Sequence, residues 1–142
     1  MRLVVVLCGP PGAGKSTVAR QSGLTVFDRD DPQWAGEQHF TQALAMLAED
    51  PRAMAVVIRS GATSSARRKW ARMVKATHTY LLTEDRDTLV SRVHRRGRAD
   101  VATSVAGIVR WFERFEHDDA VPAFPGWPAI WSQPLGLTST DW

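Results

Sequence analysis

Gly9-Pro10-Pro11-Gly12-Ala13-Gly14-Lys15-Ser16 brings glycines, a lysine and a hydroxyl together at a spacing that suits a chain of phosphates. Glycines let the turn bend until successive backbone N–H groups face one concavity, and the start of a helix completes the cup. Lys15 is then expected to reach the outer phosphates, and the Ser16 hydroxyl to contact Mg²⁺. The expected nucleotide contacts are Gly9, Gly12, Ala13, Gly14, Lys15, Ser16 and Thr17. A Gly/Pro turn matching by chance is the alternative, and the surroundings argue against it. Leu3–Cys8 before the loop reads as a fully buried strand, and a helix-like run follows.

Moving a phosphoryl group also needs something to deprotonate the acceptor, and cations for the charge that develops. Asp28-Arg29-Asp30-Asp31 lies at the end of the second predicted strand. A carboxylate there can take the proton of an incoming hydroxyl; a solvated turn is the plainer reading. Strand alternation predicts Asp28 and Asp30 on one face and Asp31 on the other. Further on, Arg92, Arg95, Arg96 and Arg98 crowd a helix end and a Gly97-containing loop. Arg92 and Arg96 are four apart and share a face while the helix lasts. They predict a short basic lid that closes over the phosphates and excludes water. Cations placed for the helix dipole would account for one or two of the four.

The elements that must position these groups alternate between strand and helix. A first helix is predicted from near Gly14 to Gly23, a residue suited to a left-handed cap. Leu24–Phe27 is a short strand. Phe40, Ala43, Leu44 and Leu47 carry a helical stripe through 35–49, ended by Asp50-Pro51. Ala53–Ile58 reads as a central strand, and Ala66, Trp70, Met73 and Val74 as the next helix, capped by Thr63 or Ser64. His78–Leu82 is a strand, followed by a helix with Leu89 and Val93 inward. Val105, Ile108, Val109, Phe112 and Phe115 form the strongest stripe. After His117, prolines at 122, 125, 128 and 134 break up a tail with Trp127, Trp131 and Trp142; either Ala129–Trp131 makes a short last strand or the tail wraps the surface with its tryptophans as anchors. The pattern implies right-handed crossovers and a parallel sheet of four or five strands with helices on both faces. Ligands bind such sheets at the carboxyl ends of the strands, and each polar cluster follows a strand.

A length of 142 residues bounds the chain to one core: a domain over 1–118, with 119–142 packing on it as an extension. A single cysteine, Cys8, excludes an internal disulfide and a multi-cysteine metal site. No apolar run approaches the ~18–20 residues of a membrane span. The apolar start ends in the phosphate loop and is no signal peptide, so the cytoplasm is the expected location. The net charge of +3 is carried by 15 Arg against 3 Lys. Arginine forks phosphate well, which admits an acidic or nucleic-acid partner; a genomic bias toward Arg would look the same.

Four pieces together carry a resemblance: Gly9–Thr17, Arg29-Asp30-Asp31, Arg67-Arg68-Lys69-Trp70 and Leu89-Val90-Ser91-Arg92-Val93-His94-Arg95-Arg96-Gly97. In order and approximate spacing the chain resembles the 5′-kinase domain of the phage polynucleotide kinase family, within the wider P-loop kinases. The resemblance implies Asp30 as general base, Lys15 and Arg96 as cations on the transferred phosphate, Ser16 as metal contact and Arg92 as an aid at the nucleotide. Two acceptor-side positions depart from it. Gln33 stands where the family has an arginine, and Ile58-Arg59-Ser60-Gly61 where it has an Asp. Arg59, expected with Asp28 on the acceptor side, either binds an acceptor phosphate or pairs with Asp28 or Asp30. A strand ending in Arg also argues against a motor-type ATPase, which holds Mg²⁺ with an acid there. The implied activity is Mg²⁺-dependent transfer from ATP or GTP to a hydroxyl of a nucleic-acid end, a nucleotide or a modified base. A small-molecule kinase and a non-catalytic nucleotide switch are the alternatives, and Asp30 discriminates, since only a kinase needs it.

Overall fold

The computed structural model describes residues 1–97 and 99–133. Among them the chain runs β1 (Leu3–Cys8), α1 (Lys15–Gln21), β2 (Thr25–Asp28), α2 (Glu37–Glu49), β3 (Met54–Arg59), α3 (Ser64–Val74), β4 (His78–Leu81), α4 (Arg86–Arg96), α5 (Val101–Arg114) and α6 (Trp127–Trp131). The four strands form one parallel sheet in the order β2-β3-β1-β4.

β1 is the centre, and all six of its residues are buried. Alternation divides it between two cores. Leu3, Val5 and Leu7 join Ala19 of α1, Val56 and Ile58 of β3, and Trp127 and Ile130 of α6. Val4, Val6 and Cys8 join Phe40 and Leu44 of α2 and Trp70 and Val74 of α3. Burial on both faces explains why β1 and β3 are continuous apolar runs rather than alternating ones. The register sets Cys8 beside Arg59 and Leu81, and Asp28 beside Ile58. The carboxyl ends of all four strands therefore make one edge, which receives the phosphate loop.

Three features differ from the sequence expectation. Ala129–Trp131 is not a strand but lies in α6, where Pro128 occupies the first turn. Proline is pre-set for that position, because its missing N–H would have no helical partner there. The tail pairs with β4 earlier: Ala123 bridges Leu81, and the Leu81 N–H donates to the Pro122 carbonyl at 2.9 Å. On α5 the buried residues are Ile108 and Trp111, while Val109 is only half-buried. Trp111 was absent from the predicted stripe, and its Nε1 donates to the Ser60 carbonyl at 2.7 Å.

Arg67 of α3 is 1% exposed and ties the tail to the sheet edge. It donates to the Gly61 carbonyl at 2.7 Å and to both carboxylate oxygens of Asp119 at 3.0 and 2.8 Å. Arg98, Pro134 and Trp142 lie outside the described residues. No described helix is long and apolar enough to cross a membrane.

Candidate active site

The loop after β1 is built by close approach. The Gly9 N–H donates to the Ser60 carbonyl at 3.1 Å, and the Leu82 N–H to the Cys8 carbonyl at 2.8 Å, so the chain leaves the sheet between the ends of β3 and β4. A Cβ on Gly9 would stand 2.0 Å from the Leu82 carbonyl oxygen, which only glycine avoids. Gly12 and Gly14 have φ of 80° and 90°, the left-handed region that other residues enter at a cost. Gly14 is the N-cap of α1 and contributes no side-chain cap, which leaves the first-turn N–H groups to an anion.

Lys15 folds back over this cup. Its Nζ donates to the Gly9 and Pro10 carbonyls at 2.6 and 2.9 Å. Burial pushes its pKa down to about 8, against the opposing pull of Cys8, Asp28 and Asp30. Seven residues earlier, burial pushes the Cys8 thiol up to about 12, as fits an inert core residue. Ser16 Oγ donates to Asp28 Oδ2 at 2.6 Å. Ala13 closes the turn through its N–H on the Pro10 carbonyl at 3.3 Å, and Thr17 is exposed along the groove.

Asp28 ends β2, but the chain then turns instead of continuing extended. The Asp31 N–H returns to the Asp28 carbonyl at 3.0 Å, and the Asp30 N–H donates to Asp28 Oδ1 at 3.1 Å. Strand alternation therefore does not govern Asp30: the turn, not the pleat, brings Asp28 and Asp30 to one cavity. Asp31 faces away, its carboxylate accepting from the Gln33 N–H at 3.1 Å. Trp34 Nε1 donates to the Asp28 carbonyl at 3.0 Å and steadies the corner.

A cavity of about 340 Å³ is lined by Gly12, Gly14, Lys15, Ser16, Asp28, Asp30 and Arg96, among others. Next to it, Gly12 with Arg92, Arg95 and Arg96 lines a space of about 320 Å³. Arg92 pairs with Glu84, on the approach to α4. On the other side, Lys15, Asp28, Arg29, Asp30, Ile58 and Arg59 border a cavity of about 280 Å³.

Asp28, expected on the acceptor side, borders that cavity with Asp30, while its carboxylate also accepts from Ser16. Arg59 pairs with neither Asp28 nor Asp30. Its guanidinium lies 3.8 Å over the Trp70 ring and bonds Glu37 at 3.1 Å. Glu37 also accepts from Arg29 at 2.8 Å; burial alone would raise its carboxyl, but the hydrogen bonds and charges of Arg29 and Arg59 together outweigh it and hold the group below the usual carboxylate range. Glu37 was missed because 22 residues separate it from Arg59, and no local pattern links them.

Mg²⁺ fits the donors present. It prefers oxygen, keeps several waters and takes one or two protein ligands beside substrate phosphates. The Ser16 hydroxyl and the Asp28 carboxylate, in mutual contact at the loop, are such a pair. No group of three or more His, Cys, Asp or Glu able to hold a metal occurs among the described residues.

No protein-family model matches the chain, and neither does any curated protein sequence. Solved structures do. A gluconokinase from Sinorhizobium meliloti superposes with a TM-score of 0.58 at 19% identity, covering 87% of this chain and 83% of that one. Kti12 of Chaetomium thermophilum in complex with ADP-AlF3 gives 0.55 at 17%, covering 90% and 97%. The YorR protein of Bacillus subtilis in complex with phosphorylated GDP gives 0.54 at 14%, covering 85% and 83%. With the parallel sheet and the loop after β1, these likenesses show a P-loop NTPase/kinase fold.

Proposed function

We propose that this chain is a P-loop kinase that transfers the terminal phosphoryl group of ATP or GTP to a hydroxyl of a small molecule. One observation carries the reading: Lys15, the Ser16–Asp28 pair, Asp30 and Arg96 line a single cavity at the carboxyl edge of the sheet. Each answers one requirement of phosphoryl transfer. The N–H groups of the loop and the start of α1 hold the phosphates. The Lys15 ammonium exchanges its two carbonyl partners for phosphate oxygens. Ser16 and Asp28 would hold Mg²⁺, which on binding neutralises phosphate charge. Asp30, presented by the turn, takes the acceptor proton. Arg96, at the end of α4, meets charge developing on the transferred group.

The acceptor side favours a small molecule. The cavity next to Asp30, about 280 Å³, stands at the small end of ligand sites, which run from about 300 Å³ upward. The resemblance to polynucleotide kinases would instead place a nucleic-acid 5′-hydroxyl there. Its phosphate-holding arginine is Gln33 here, lying in the exposed turn. The superposed gluconokinase is named for a small acceptor, which agrees with the first reading.

The test is label transfer from γ-labelled ATP and GTP, with Mg²⁺, to sugars, sugar acids, nucleosides and 5′-hydroxyl oligonucleotides. Transfer to small alcohols is expected, reduced at least ~10²-fold in Lys15→Ala, the scale for removing one transition-state stabiliser. Transfer to oligonucleotides alone would overturn the small-molecule assignment. A folded Lys15→Ala protein with unchanged turnover would overturn the kinase reading itself.

A further inference from the structure

We infer that the acceptor of this kinase carries an anionic group, a carboxylate or a phosphate, and that Arg59 together with Arg29 binds it; this rests on the kinase reading above. Both arginines line the acceptor cavity that also contains Asp30. Arg59, with its side chain 16% exposed, is the better fixed of the two. Its guanidinium lies over the Trp70 ring at 3.8 Å, with Phe40 at 5.3 Å, and one Nη is held by Glu37. Among the described residues that single bond is the only hydrogen bond it donates, out of the five N–H groups a guanidinium offers. Arg29 likewise donates only through Nε, to the same Glu37.

A planar fork held on an aromatic face, with donors left over, is pre-organised for a bidentate oxyanion. The charge count agrees: two guanidinium groups against one carboxylate leave a net positive charge on the wall facing Asp30. Glu37 is then a positioning residue. It bridges Arg29 at 2.8 Å and Arg59 at 3.1 Å, and sets their spacing. A neutral alcohol in the cavity would leave Arg59 without a counter-charge from the ligand, so the wall selects against it. The hydroxyl to be phosphorylated faces Asp30, and the anionic group faces Arg59.

The experiment is calorimetric titration of the full chain, with ADP and Mg²⁺ saturating the phosphate loop. The probes are glycerol, glycerate and glycerol 3-phosphate, then glucose, gluconate and glucose 6-phosphate. Binding of at least one anionic probe without its neutral counterpart is expected, and the bound arm distinguishes carboxylate from phosphate. Arg59→Gln should weaken that binding about 10- to 100-fold, the loss of one charge-assisted pair, while ADP affinity is retained. Arg59→Lys should restore only part of it, since lysine lacks the fork. Glu37→Gln should weaken it by a smaller factor. Where Arg59→Gln fails to fold, Arg29→Gln, at the more exposed of the two sites, carries the same test.

Equal affinity for neutral and anionic probes, no anion binding in a chain that binds ADP, or anion binding untouched by both arginine variants overturns the proposal and leaves the kinase reading standing. Failure to bind ADP at all overturns the kinase reading instead.

Discussion

Lys15 is the residue whose protonation links the loop to its ligand. Its pKa is pushed down to about 8 by burial, with Cys8, Asp28 and Asp30 pulling the other way and Arg59 and Arg96 lining the same cavities. A nucleotide brings several negative charges to the ammonium, which returns the pKa to at least the ordinary 10.5 of a lysine. Binding must therefore take up protons wherever the ligand-free chain has lost them. Two-state titration about a value near 8 gives an uptake of ~0.1 proton at pH 7, ~0.5 at pH 8 and ~0.9 at pH 9. The same linkage weakens nucleotide affinity about 10-fold between pH 7 and pH 9.

ADP with Mg²⁺ suits the measurement, because a phosphate with a second pKa of about 6 is already ionised over this range. Calorimetry at each pH, in two buffers of different ionisation enthalpy, reads the uptake directly. Lys15→Arg is the control, since a guanidinium keeps its proton throughout and should abolish both uptake and slope. Heats independent of buffer together with a flat affinity from pH 7 to pH 9 would refute the argument. So would uptake that survives Lys15→Arg. The folding sign is opposite to that of a lysine gaining a partner. The folded value lies below the unfolded one, so the unfolded chain binds more protons between about 8 and 10.5. Over that window this group makes the nucleotide-free protein more stable as pH rises.

Asp30→Asn should keep nucleotide affinity by calorimetry and lose transfer by ~10²–10⁴-fold. Asp28→Asn should instead raise the Mg²⁺ concentration needed for half-maximal rate; transfer that survives the first change but not the second moves the base to Asp28. Gly9→Ala puts a Cβ against the Leu82 carbonyl at 2.0 Å and should cost ~1–3 kcal/mol in urea unfolding, so wild-type stability would contradict the close approach. Arg67→Met leaves Asp119 without its partner and should cost ~3 kcal/mol. Arg67 hydrogen bonds hold the Asp119 carboxyl below its ordinary value, so that part of the stability is present at neutral pH and disappears as pH falls through the folded value. The variant should lack that acid-side loss, which acid titration of unfolding would reveal.

The phosphate loop was legible because everything that makes it is contiguous: two left-handed glycines, a lysine and a hydroxyl after a buried strand. β1 and β3 were legible for a related reason, since burial on both faces leaves an unbroken apolar run. What escaped the sequence depends on contacts between distant segments. Arg67 enters the sequence reading only within the Arg67–Trp70 piece of the resemblance, and nothing local shows that it is buried and meets Asp119 across 52 positions. Trp111 was missed because its partner, the Ser60 carbonyl, belongs to a loop 51 residues earlier. Asp30 does share a cavity with Asp28, but a turn and not the predicted strand alternation brings it there. Of the two readings of the tail, the strand at Ala129–Trp131 does not form: three apolar residues carry no period, and Pro128 is the stronger signal.

The departure at the end of β3 now has a physical account within the proposed site. An acid there would have placed a third carboxylate near Asp28 and Asp30, at the edge where Cys8 lies beside Arg59 and Asp28 beside Ile58. Instead the Ser16 hydroxyl is met by Asp28 from β2, at 2.6 Å. In the proposed site Asp28 would then serve Mg²⁺ from the next strand over, which would leave the β3 terminus without a metal role. Arg59 can occupy it because Trp70 and Phe40 offer an aromatic bed and Glu37 a counter-charge, all from the α2/α3 face. The exchange also separates the charges by task. In the proposed site Asp28 would face the loop, Asp30 the acceptor hydroxyl, and the arginines the acceptor's anionic group. An Arg59→Asp change would test the division in one step: on this account it restores no metal function, because Asp28 already holds that place, and it removes acceptor binding while ADP and Mg²⁺ still bind. Tighter Mg²⁺ binding with unchanged acceptor affinity would show that β3, and not β2, owns the metal side.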